Sequence, residues 1–91
     1  MNASEKFSEE LIELIRKRYP KALQGDIGQH AEATNAVAIA MGGLLAFSFR
    51  LNGQVLGRTT LQSVIKTIIE NAAAIDAKGA EIIRKSLPPA H

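Results

Sequence analysis

Apolar and polar positions alternate differently along successive parts of the chain. From Asn2 onward, Phe7, Leu11, Leu14, Ile15 and Tyr19 recur at steps of three and four among charged residues. That is the period of a helix that turns one face to a core. Asn2 followed three residues later by Glu5 reads as an N-cap, and Pro20 stops the helix because it has no amide hydrogen to donate. Glu5, Glu9, Glu10 and Glu13 come first and Arg16, Lys17 and Arg18 last. This order complements the helix dipole and places Glu13 to pair with Lys17 one turn on.

"PKALQG" predicts a short turn opened by Pro20 and closed by Gly25, and the Asp26-x-x-Gln29 pattern behind it caps a second helix from near Ile27. That helix enters "AVAIAMGGLLAFSF", residues 36–49, which carries no charge. One stripe holds Ala33, Val37, Ala40, Leu44 and Phe47 and another holds Ala38, Met41 and Leu45, so the segment is apolar all round, the pattern of a buried helix. Its end has two readings. The helix can continue to about Leu51 with Gly53 as its C-terminal glycine, or residues 46–57 can form a small β-hairpin turned by Asn52-Gly53.

A third helix is predicted from about Leu61, capped by Thr59 or Thr60, to Leu87, where Pro88-Pro89 forbid continuation. At 1.5 Å per residue it is a rod of roughly 40 Å. Leu61, Ile65, Ile68, Ala72, Ile75, Gly79 and Ile82 alternate steps of four and three along it, a heptad seam that needs a partner. Residues 88–91 form a tail expected to be mobile.

Composition narrows the picture. Ninety-one residues, 46% hydrophobic and 22% charged, suit a single helical domain over residues 1–87. The apolar residues are mostly Ala, Ile and Leu, which pack as helices more readily than as sandwiches. The lack of cysteine excludes disulfides, a thiolate nucleophile and cysteine-based metal sites. "MNASEKFSEE" has neither the basic start nor the apolar run of a signal peptide, so a cytoplasmic location is expected. A net charge of +2 permits contact with polyanions without demanding it.

The uncharged run invites three explanations. As a membrane span it has seventeen residues between Glu32 and Arg50, including Thr34, Asn35 and Ser48, at the lower end of the usable length; a membrane partner is therefore disfavoured. As the centre of a monomeric three-helix bundle, it would be covered incompletely by one short helix and one long one. As a helix shared with a second copy it is covered, and Ala38, Gly42 and Ala46, one turn apart, would admit a close neighbour.

Little points to catalysis. Asp26, His30 and Glu32 lie close in sequence, but Asp26 has a capping role and Glu32 points away from His30, so no metal site is expected. No serine sits in an elbow that could use His30 as a base. The "GDIG" turn is too short for a phosphate loop and carries its own carboxylate. Glu70, Asp76 and Glu81 fall on a solvated helix face. No cofactor is implied.

The expected architecture is thus mainly α: three helices, the last one long, with the possible hairpin at 46–57, assembled as a dimeric helical bundle. Its interface would run along Ala38, Gly42, Ala46, Leu61, Ile65, Ile68, Ala72, Ile75, Gly79 and Ile82. The leading functional expectation is a small, non-enzymatic interaction or scaffold module that acts as a homo-oligomer and that another protein could also bind. The alternative is a nucleic-acid-binding regulator that grips phosphates with Arg16, Lys17, Arg18, Lys21, Arg50 and Arg58. A further alternative is a small ligand binder or enzyme with an apolar pocket near His30, Phe47 and Phe49.

Overall fold

A computed structural model describes residues 2–87. They form three helices, α1 (Ala3–Arg18), α2 (Ile27–Ile75) and α3 (Ala77–Ser86), and no strand occurs among them. The expected mobile tail, 88–91, lies outside the described residues. The chain divides into two compact units, with the boundary inside α2 between Gly42 and Gly43.

The first unit holds α1, the turn after it and the opening of α2. Asn2 caps α1, its Oδ1 accepting from the Glu5 amide at 2.8 Å, so one of the orphan amides at the helix start is satisfied. Tyr19 closes the helix by donating its amide to the Ile15 carbonyl. Glu13 pairs with Arg16 rather than with Lys17. In the turn, the amides of Gln24 and Asp26 both reach the Lys21 carbonyl, and Gly25 takes the φ of +104° that closes it, a value costly for any residue with a Cβ.

Asp26 then caps α2 as its spacing predicts, Oδ1 accepting from the Gln29 amide at 2.9 Å. The returning half of a capping box is redirected, because Gln29 Oε1 accepts from the Lys21 amide at 2.8 Å. This ties the turn to the helix it precedes. Ala22 and Ala33 are the buried apolar side chains of this unit.

The second unit holds the remainder of α2 and α3. Here α2 is interrupted at Gly53, whose φ of 74° and ψ of −178° are not helical; only glycine adopts this conformation without strain. The helical reading of residues 46–52 holds and the hairpin does not. Helical hydrogen bonding resumes at once after Gly53, leaving no extended segment to pair across Asn52-Gly53. The ring of Phe49 lies over Gly57, so close that a Cβ there would stand 2.7 Å from it.

Two further expectations are corrected. Residues 54–60 are helical, and Thr59 and Thr60 do not cap; their hydroxyls donate to the carbonyls of Val55 and Leu56, four residues back, at 3.1 and 3.0 Å. The helix expected to run unbroken from Leu61 to Leu87 is divided at Asp76, which has an extended backbone (φ −151°, ψ 100°). Its Oδ1 accepts from the amides of Lys78 and Gly79, both at 3.1 Å, so the side chain starts α3 in place of continuing α2. The long element is therefore α2 and the C-terminal helix is short. Ala80 is the buried apolar side chain here.

Candidate functional site

In the first unit, α1 and the opening of α2 leave a groove of about 520 Å³ between them. Leu11, Leu14 and Ile15 line it from α1, and Ala33, Ala36, Val37 and Ala40 from α2. Arg18 and Tyr19 line it as well, at the end of α1 from which the turn leads back into α2. A volume of this size is in the range of a ligand or helix receptor site.

His30 has a local partner in the same unit. Its Nδ1 lies 3.1 Å from the Ala22 carbonyl oxygen, and with Asp26, Ala22, Gly25 and Ile27 it borders a shallow depression of about 180 Å³. Neither Phe47 nor Phe49 lines it. Asp26 uses Oδ1 on the Gln29 amide. Among the described residues, no three His, Asp or Glu side chains are gathered as metal ligands would be. The ring of Phe49 is taken up by Gly57 in the second unit.

The basic candidates are all exposed. Arg16, Lys17, Arg18 and Lys21 belong to the first unit, where Arg16 is engaged by Glu13. Arg50 and Arg58 belong to the second. Of the expected interface residues, Ala38, Gly42 and Ala46 are exposed, as are Ile68, Ile75 and Ile82, whereas Leu61, Ile65, Ala72 and Gly79 are half-buried. The half-buried four thus meet part of their need for cover within this chain. A Cβ built on Gly42 or Gly43 would have nothing within 4 Å outside its own helix, so neither glycine serves a close approach inside the chain.

A run of exposed apolar side chains extends through residues 44–56. In the second unit Leu44, Phe47, Leu51, Val55 and Leu56 are all exposed, Leu51 at 78% and Val55 at 79%. Leu44 and Phe47 lie on the helical stripe that the spacing predicts, and Leu51 continues it one turn on, where the competing hairpin pattern obscured it. No large side chain among the described residues is fully buried. α2 contains an apolar window long enough to cross a membrane, and none of that window is buried. Its hydroxyls bond internally, Thr34 to the His30 carbonyl and Ser48 to the Leu44 carbonyl. Compared with known proteins, the chain matches no family model, no curated protein and no solved structure.

Proposed function

We propose that the protein is a non-enzymatic helical interaction module that works as a homo-oligomer. The observation that carries this reading is the exposure of Leu44, Phe47, Leu51, Val55 and Leu56, which the chain itself leaves in water. Burying one such side chain contributes about 1.5–3 kcal/mol. With no large side chain fully buried among the described residues, the chain has much to gain from a second copy that removes these residues from solvent.

The exposed apolar window of α2 supports a second reading, a bilayer anchor. The groove of the first unit weighs against it. Ala33, Ala36, Val37 and Ala40 share that groove with α1, and α1 carries Glu5, Lys6, Glu9, Glu10, Glu13, Arg16, Lys17 and Arg18. A span that used these α2 residues would bring α1 into the hydrocarbon or strip it away. The uncharged residues beyond Ala40 number nine, up to Phe49, about half of what a crossing needs.

Leu51→Glu tests the first reading. A carboxylate in the apolar contact should raise the dissociation constant of the assembly at least about tenfold, read by sedimentation velocity over a dilution series. Unchanged association would remove this surface from the interface. Flotation with neutral phosphatidylcholine vesicles tests the second, and the oligomer reading predicts that the protein stays with the soluble fraction.

A further inference from the structure

We propose that α1 pairs antiparallel with α1 of a second copy, so that self-association has a defined contact in the first unit. This rests on the homo-oligomer reading and deepens it. Phe7, Leu11 and Leu14 lie at steps of four and three and are exposed, a short seam that its own chain covers only in part. Leu11 and Leu14 also line the groove between α1 and α2, so an apolar side chain from an incoming helix has a recess to enter.

Charge selects the occupant and its direction. Apart from Lys6, the charged residues of α1 up to Glu13 are acidic, and those that follow, Arg16, Lys17 and Arg18, are basic. A parallel copy would set Glu against Glu and Arg against Arg, whereas an antiparallel copy opposes acids to bases at both ends, as a two-fold, self-complementary contact requires. Glu10 and Lys17 are seven residues apart and so share one side of the seam. Neither takes part in an ion pair among the described residues. Each is free to meet its opposite in the second copy, Glu10 against Lys17 and Lys17 against Glu10. The same register carries Phe7 toward the end of the second copy's groove, where Arg18 and Tyr19 sit.

The test is a charge swap read by sedimentation equilibrium on the full chain. Glu10→Lys sets lysine against lysine twice across the two-fold, and Lys17→Glu sets glutamate against glutamate twice. Each should weaken association by at least about tenfold. Mixing the two variants, or combining both changes in one chain, restores the opposite-charge pairs and should bring the wild-type constant back. Both positions are exposed, and circular dichroism of each variant confirms that helix is retained. If the wild type associates and the single variants match it, the α1 contact is wrong while the homo-oligomer reading stands. If the single variants weaken association but the mixture does not recover, the antiparallel pairing is wrong. If the wild type is a monomer throughout, both readings fall together.

Discussion

At the residue scale, Gly57 sits in a helix and pays the usual cost of a glycine there because the Phe49 ring lies where its side chain would be. Two effects oppose each other on substitution. Alanine favours helix by about 1 kcal/mol, while forcing a methyl against a packed ring costs about 1–3 kcal/mol. Gly57→Ala should therefore destabilise the protein in the presence of Phe49 and stabilise it by up to about 1 kcal/mol when Phe49 is also alanine. A double-mutant cycle in urea measures this coupling.

A second residue-scale prediction concerns Glu81. Hydrogen bonds from Arg84 hold its carboxyl below the ordinary value of 4.5 against the desolvation that opposes them, and the charge of Arg84 and the Lys85 ammonium, 3.8 Å from Oε1, add to the lowering. One of those bonds runs from Arg84 Nε to Oε2 at 3.1 Å. Because the folded carboxyl is the stronger acid, the pair contributes above the unfolded pKa, and the contribution is lost as pH falls through the lower, folded value. A carbon-detected NMR titration should place the Glu81 midpoint below 4.5, and Arg84→Gln should move it upward.

At the scale of elements, the starts of α1 and α2 were legible because an N-cap is decided by residues within one turn: Asn2 with Glu5, Asp26 with Gln29. Gly53 was legible as a helix terminator for the same local reason. Residues 54–60 were not. Asn52, Gly53, Gly57, Thr59 and Thr60 are all turn formers by type, yet the threonines satisfy their hydroxyls on helix carbonyls and Gly57 answers to the Phe49 ring eight residues away. The break at Asp76 was hidden by the heptad spacing, which runs across it from Ile75 to Gly79 without a change of step. The groove depends on two helices meeting, which no periodicity in either reveals. Asp76→Ala removes the acceptor for two amides and should cost about 1 kcal/mol. Asp76→Asn should recover most of it, and hydrogen exchange at Lys78 and Gly79 reports where the loss falls.

At the scale of the whole molecule, apolar content and burial do not match. The chain is 46% hydrophobic, but the buried apolar side chains among the described residues are three alanines. Leu51 and Val55 keep about four-fifths of their full accessibility, 78% and 79%. Stability should therefore depend on chain concentration, since dissociation would return apolar surface to water. The most direct test is sedimentation equilibrium across a wide dilution series, with helix content followed by circular dichroism at the same concentrations. Association into particles of two or more chains, with helix lost as they separate, is the predicted result. A folded monomer with constant helix content at every concentration would contradict the account.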